Sequence, residues 1–124
     1  MVNAPINDFF TRVRNAALAK KREVVLPYSH IRGEIAKVLL KGGYLDDVRQ
    51  ENAQLILSLA FIKKRPRIIG IKNISRPGLR EYRKAKGFAT QKFGMVIVST
   101  PKGIMSGEEA YEAGVGGEVL AEVW

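Results

Sequence analysis

The residue types that most often carry out covalent chemistry are scarce in this sequence. It contains no cysteine and a single histidine, His30. Thiolate catalysis and sulfur-based zinc sites are therefore excluded, and a histidine-dependent metal cluster or catalytic relay would have to be built around His30. The adjacent Ser29 lies where a helix is predicted to begin, a position at which serine normally caps the helix. We therefore assign this Ser–His pair no nucleophilic role.

A cluster of acidic residues is the remaining candidate for catalysis. Glu108, Glu109 and Glu112 lie within about one helical turn and could hold a divalent cation, as an RNA-processing nuclease would require. Ser106 and Glu109, however, have the spacing of a capping box, and the first turn of a helix favours acidic side chains. The structural explanation is the stronger one, so the protein is predicted not to be an enzyme and to use no cofactor or metal.

Binding chemistry fits the sequence better than catalysis does. The small side chains of Ser99, Thr100 and Gly103 would let a sugar or base edge approach closely, and Lys102 adds a positive charge in the same turn. Tyr82 is flanked by arginines and offers a face on which an unpaired base could stack. Both signals have ordinary alternatives, because these residue types make any turn and Tyr82 could be a core tyrosine at a sheet edge.

The charge distribution points to a polyanionic partner. Lys and Arg number 21 against 12 Asp and Glu, which gives a net charge of +9. Residues 63–92 hold 11 of these basic residues and only one acid, Glu81. Such a segment gains most when a phosphate backbone lies across it, although a solvated surface loop is the alternative. The candidate phosphate contacts within it are Arg76, Arg80, Lys84 and Lys86.

Length and composition limit the architecture that can position these residues. A chain of 124 residues with 46% hydrophobic residues forms about one domain, or two small halves that share a core. No apolar run approaches the roughly 20 residues of a membrane helix, and the N-terminus does not resemble a signal or transit peptide. We therefore expect a soluble, cytoplasmic protein with no membrane partner.

The hydrophobic pattern predicts an α+β fold made of two small α/β halves packed together. Residues 1–64 are predicted to form a helix–strand–helix–hairpin unit, with helices at 6–17 and 29–42 and strands at 24–26, 44–48 and 55–62. Residues 65–124 are predicted to be mainly β, with strands at 67–74, 95–99 and 118–124, an extended segment at 79–82 and one short helix at 106–114. Residues 83–92 are predicted to form a loop with at most one helical turn. The basic sequence at 63–66 ends in a proline and separates the halves.

Four ordered segments carry a resemblance to a known family over nearly the whole chain. They are PINDFFTRVRNA at 5–16, VVLPYSHIRGEIAKVLLKGGYL at 24–45, ISRPGLREY at 74–82 and GMVIVSTPKGIMSGEEAYEAGVGGEVLAEVW at 94–124. With them the chain resembles the bacterial family of small ribosomal subunit protein eight.

The resemblance implies a structural protein of the small ribosomal subunit. It implies a primary binder of the central domain of 16S-type ribosomal RNA, which helps to assemble the platform of the subunit and is a monomer within the ribosome. The neighbouring proteins would be the fifth and twelfth of the small subunit. An alternative is a translational repressor that binds a messenger RNA of its own operon mimicking the ribosomal site. The residues are the same for both roles, so the sequence does not separate them.

The resemblance also implies where RNA binds. In the family a Ser-Thr-Ser-x-Gly turn and a glycine-rich stretch after the short helix make the main contact, and a tyrosine follows Gly-Leu-Arg. The matching positions here are Ser99, Thr100, Lys102 and Gly103 in the turn, Gly116, Gly117 and Glu118 in the stretch, and Tyr82. The N-terminal half is expected to touch a neighbouring RNA helix through Arg12, Arg14 and Asn15.

Two departures from the family and one charged residue qualify this assignment. Pro101 replaces the second serine of the turn, so a hydroxyl or N–H contact there is lost while the loop becomes stiffer. Residues 83–93 are shorter than in the family and lack its Leu-Gly-Gly-Leu-Gly run. Glu118 is an acid at a proposed RNA contact. It either accepts hydrogen bonds from base amino groups or is a buried carboxylate paired with a basic residue.

Overall fold

The computed structural model describes residues 3–89 and 94–124 and has the predicted α+β fold. The first half contains α1 (Asn3–Leu18), β1 (Glu23–Pro27), α2 (His30–Lys41), β2 (Leu45–Glu51) and β3 (Gln54–Leu59). A small hairpin follows, β4 (Phe61–Ile62) and β5 (Arg65–Pro66). The second half contains β6 (Ile71–Asn73), β7 (Tyr82–Arg83), a 3₁₀ helix (Ala85–Phe88), β8 (Met95–Thr100), β9 (Gly103–Ser106), α3 (Gly107–Ala113) and β10 (Gly117–Val123).

The first half is an antiparallel sheet with the strand order β1-β3-β2, against which two amphipathic helices pack. The helical spacing of Phe9, Phe10 and Val13 places all three in the core, fully buried. Ser29 caps α2 as predicted, because its side chain accepts a hydrogen bond from the N–H of Arg32 at 3.2 Å.

The second half is an antiparallel sheet with the order β6-β10-β8-β9, in which β7 also pairs with β10. The predicted capping box at the start of α3 is confirmed, since the side chains of Ser106 and Glu109 each bond the other's backbone N–H. Gly114 ends the helix in the left-handed conformation at φ 70°, also as the sequence predicts. The central strand of this sheet is β10, which carries the glycine-rich stretch at its start.

The two halves share one hydrophobic core and are also joined by hydrogen bonds and an ion pair. The core contains residues of α1 and α2 together with Ile97 and Ala121 of the second sheet. Arg14 on α1 donates a hydrogen bond to the carbonyl oxygen of Ile71 at 2.9 Å, and Lys41 on α2 forms an ion pair with Glu109 on α3 at 2.7 Å. The β4–β5 hairpin spans residue 64, where the predicted boundary lies. The division into residues 1–64 and 65–124 remains a proposal.

The structure differs from the predicted elements at several places, and the strand predicted over 55–62 is divided into β3 and β4, which belong to different sheets. The strand predicted over 67–74 is limited to β6, because the N–H groups of Ile69 and Gly70 both bond the carbonyl oxygen of Trp124. The sequence did not predict β9, a short strand that directly follows a turn. The loop predicted over 83–92 begins with β7 and a 3₁₀ helix held by the buried side chain of Phe88, and its positions 90–92 lie outside the described residues. No helix in the described part of the chain could cross a membrane.

Candidate nucleic-acid interface

Strand pairing brings together three of the predicted site residues. In β10, Glu118 lies opposite Tyr82 of β7 on one side and opposite Ser99 of β8 on the other. Directly opposed residues of antiparallel strands have their side chains on the same face, with Cβ atoms about 5 Å apart. Tyr82, Glu118 and Ser99 therefore form a continuous row across three strands, which we call the recognition row.

Tyr82 is an exposed aromatic residue at the open end of this row. Its relative exposure is 68%, so the alternative of a core tyrosine at a sheet edge is wrong. Its backbone is nevertheless held in β7 by pairing with β10. An exposed ring on a fixed strand is an arrangement on which an unpaired base can stack at little conformational cost.

Glu118 is a largely buried carboxylate close to a basic residue, which is one of the two alternatives that the sequence left open. Its side chain is only 13% exposed, and its Oε1 lies 3.8 Å from Nη1 of Arg80. Its Oε2 is buried and has no hydrogen-bond partner among the described residues. A buried carboxylate oxygen without a donor is costly, and its burial leaves Oε2 out of reach of a ligand at the surface.

The turn between β8 and β9 is stabilised by its own threonine. The Oγ1 of Thr100 accepts a hydrogen bond from the N–H of Lys102 at 3.1 Å and donates one to the carbonyl oxygen of Gly103 at 2.8 Å. Pro101 and Lys102 are exposed at the tip. The Thr100 hydroxyl therefore shapes the turn and retains a lone pair, so it can contact a ligand only as an acceptor.

The two glycines at the start of β10 have a packing role that the sequence did not reveal. A Cβ atom on Gly116 would lie 2.5 Å from the carbonyl oxygen of Arg83, and one on Gly117 would lie 2.2 Å from that of Ser99. Only glycine allows β10 to fit between the backbones that flank it.

Basic residues lie along the chain on both sides of β7. Arg76, Lys84 and Lys86 are exposed, and none of them forms an ion pair with a carboxylate in the described ranges. Arg80 is also exposed but lies close to Glu118, as given above. Among these cations Lys84 lies nearest to Tyr82 along the chain, two residues away.

A buried serine, Ser75, helps to position Tyr82. Ser75 is 2% exposed, and its Oγ accepts a hydrogen bond from the N–H of Glu81 at 3.0 Å. The carbonyl oxygen of Glu81 in turn accepts a hydrogen bond from the N–H of Val119 in β10. These bonds close the loop at 75–81 and deliver Tyr82 into β7. The Ser-x-Pro-Gly pattern indicated the turn, but nothing local indicated that its hydroxyl would be buried.

The N-terminal candidates separate into two groups. Arg12 and Asn15 are exposed on α1 and line, with Lys21, a surface groove of about 450 Å³. Arg12 is also paired with Asp8 at 3.2 Å. Arg14 is instead partly buried and bonded to Ile71, as described above. The prediction placed these three residues together, whereas the helix puts Arg14 on another face, where it links the two halves.

The acidic cluster considered as a metal site has structural partners. Glu109 accepts the hydrogen bond from Lys41, which lowers the pKa of its carboxyl, and the N–H of Ser106 lowers it further. The same hydrogen bond raises the pKa of Lys41. Among the described residues, no group of three or more histidine or acidic side chains is arranged to hold a metal ion. Glu109 therefore belongs to the helix cap and to the link between the halves.

Comparison with known proteins agrees with this architecture over the full chain. A family model described as ribosomal protein S8 matches residues 4–124. The small ribosomal subunit protein uS8 of Nitratidesulfovibrio vulgaris (strain DSM 19637 / Miyazaki F) is 40% identical over 126 residues, covering 100% of both chains. The protein of the same name from Rhodococcus erythropolis (strain PR4 / NBRC 100887) is 42% identical and covers 97% of this chain and 96% of its own. The chain is similar to these relatives from end to end.

Proposed function

The chain belongs to the ribosomal protein S8 family of structural, non-enzymatic small-subunit proteins, and from that premise we propose that it is a primary binder of ribosomal RNA. Its target is the central domain of 16S-type RNA, and its role is to hold that domain in the shape on which the platform of the subunit assembles. The recognition row supports this proposal most directly, because it places an exposed ring, a carboxylate and a small hydroxyl side by side.

The row and its neighbouring turn are suited to RNA whose helix is interrupted. A regular A-form helix hides its base edges in a deep, narrow groove, so base recognition needs a bulge or internal loop. A base displaced there would stack on Tyr82, and an amino group would donate to the partly exposed carboxylate of Glu118. Gly116 and Gly117 keep β10 closely packed beside the row, and Lys102 at the turn tip meets a phosphate.

The basic segment contributes attraction without sequence preference. Arg76, Lys84 and Lys86 lie on the surface beside the row and would neutralise phosphates, which releases counterions and makes affinity depend on salt. Arg12 and Asn15, in their groove on the first half, would contact a second RNA helix. Phosphate contacts would thus fix the orientation and the recognition row would select the site. In the assembled particle the protein is a monomer whose neighbours include the fifth and twelfth proteins of the small subunit.

The division of labour can be tested with one pair of variants. Thr100→Val removes both hydrogen bonds of the turn and the remaining acceptor without changing charge. It should weaken binding to a central-domain RNA fragment by about tenfold and to an arbitrary duplex of equal length much less. Thr100→Ser keeps the hydroxyl and should bind as the original chain does. Lys84→Ala should weaken both RNAs alike.

The readout is a filter-binding titration of each variant against both RNAs, alongside thermal unfolding of the free protein. Equal losses on the two RNAs for Thr100→Val and Lys84→Ala would contradict the proposal. A chain that shows no preference for the central-domain fragment over the arbitrary duplex would contradict it outright.

A further inference from the structure

A second surface, formed by other residues than the recognition row, has the composition of a protein-docking site. It is a groove of about 680 Å³ between the end of α1, the β4–β5 hairpin and residues 67–69. Three aliphatic side chains line it and are largely exposed: Leu18 at 71%, Ile62 at 52% and Ile69 at 74%. Single exposed aliphatic residues are normal on a protein surface, but a contiguous group of them marks an interaction site. We call this surface the aliphatic groove.

The rim of the aliphatic groove is positively charged. Lys20, Arg65 and Arg67 line it, and no acidic residue in the described part of the chain does. Arg67 is held in place by the ring of Tyr44, at 5.5 Å, and by the carbonyl oxygen of Gly43. Neither Lys20 nor Arg65 forms an ion pair within the described ranges. These charges are therefore available to carboxylates from outside the chain.

The backbone around the groove is fixed before any partner arrives. Lys63 and Lys64, between β4 and β5, both adopt left-handed conformations, with φ of 51° and 68°. Two such residues make the tight turn that matches the twist of a hairpin, but for lysine each costs about 1 kcal/mol. The N–H of Arg67 bonds the carbonyl oxygen of Ala60 at 2.7 Å, and the neighbouring Ile68 is buried at 4%. A partner would thus meet a preformed surface and lose little entropy in ordering it.

We propose that the aliphatic groove binds a segment of another protein that carries apolar side chains flanked by carboxylates. RNA is the weaker fit, because phosphates and sugars would satisfy the cations but leave the three aliphatic side chains without apolar contacts. A segment with apolar and acidic residues satisfies both. The inference rests on the proposed function in one respect, that the partner is a neighbouring protein of the same ribosomal particle.

The test uses small subunits reconstituted with this chain as the only S8-family protein. A photoreactive benzoylphenylalanine replaces Ile69 in one sample and Tyr111, an exposed residue on α3, in the control. After irradiation of purified particles, the cross-linked component is identified by mass spectrometry. We expect the Ile69 probe to capture a protein segment containing apolar and acidic residues. Adding Ile62→Asp to the probe-bearing chain should reduce that adduct about tenfold, because the aspartate repels the partner's carboxylates.

Each other outcome has a defined meaning. An Ile69 adduct with ribosomal RNA, with a protein segment lacking acidic residues, or in a yield no higher than that of the Tyr111 control would overturn the inference. An adduct that Ile62→Asp leaves unchanged would overturn it as well. A chain that fails to enter the particle would instead refute the proposed function and the inference with it. The Ile62→Asp chain should keep its affinity for purified central-domain RNA, which shows that it is folded.

Discussion

Gly117 provides the sharpest test of how the interface is built. Its missing side chain lets β10 lie against β8, since a Cβ atom there would stand 2.2 Å from the carbonyl oxygen of Ser99, where ordinary contact begins at 3.4 Å. In Gly117→Ala the two strands would have to separate by about 1 Å at this point. The next residue, Glu118, is paired with Ser99 and Tyr82, so this separation occurs directly beside the recognition row.

The expected effect of Gly117→Ala has two parts. Forcing a methyl group into a packed interior costs about 1–3 kcal/mol, which corresponds to a fall in melting temperature of roughly 4–10 °C for a chain of this size. Disturbing the row should also weaken binding to the central-domain RNA by about tenfold or more, because the stacking ring and the acceptor oxygen would no longer be aligned.

Urea unfolding followed by circular dichroism, together with RNA titration, measures both parts. The matched control is Gly87→Ala in the 3₁₀ helix, where the new methyl group would lie 3.4 Å from the Cβ of Arg83 in ordinary contact. This control should change the free energy of unfolding by less than about 0.5 kcal/mol. If Gly117→Ala were as stable as the original chain, the packing argument would be wrong. If it lost RNA binding with no loss of stability, Gly117 would be a direct contact and not a packing residue.

Three further outcomes follow from the structure. Tyr82→Ala should lose about 1–3 kcal/mol of RNA-binding free energy and Tyr82→Phe almost none, and equal losses in a titration would exclude stacking. Replacing Lys84 and Lys86 together with alanine should reduce the slope of log affinity against log salt by about 0.7–0.9 for each phosphate contact, and an unchanged slope would mean that neither lysine meets a phosphate. The hydrogen bond from Lys41 lowers the pKa of Glu109, so the ionised carboxylate stabilises the folded state. This contribution to the free energy of unfolding is fully present above the ordinary pKa of 4.5. It is lost as the pH falls through the lower pKa of the folded state. Glu109→Gln should therefore flatten the dependence of unfolding free energy on pH in the range of about 3–5, and an unchanged profile would show that this carboxyl is not perturbed.

Features that depend only on neighbouring residues could be predicted from the sequence alone. The capping box of Ser106 and Glu109, the cap at Ser29 and the glycine that ends α3 are set by contacts within about one helical turn, so spacing alone predicts them. Helical periodicity likewise identified the core face of α1, and the ordered motifs identified the family. Residues of the turn at 99–103 were also found in this way, because a turn is a local structure.

The packed fold was needed to show which distant residues meet and which face of the sheet they share. Tyr82, Ser99 and Glu118 become neighbours through strand register, and a shift of one residue would have moved a side chain to the opposite face. The packing role of Gly117, the inward position of Arg14 and the exposure of Ile69 depend in the same way on backbones from other parts of the chain. Sequence patterns record the local propensity of each segment, whereas burial and alignment arise only when the segments pack together. The residues proposed to bind RNA could therefore be identified from the sequence, whereas their assembly into one surface could not.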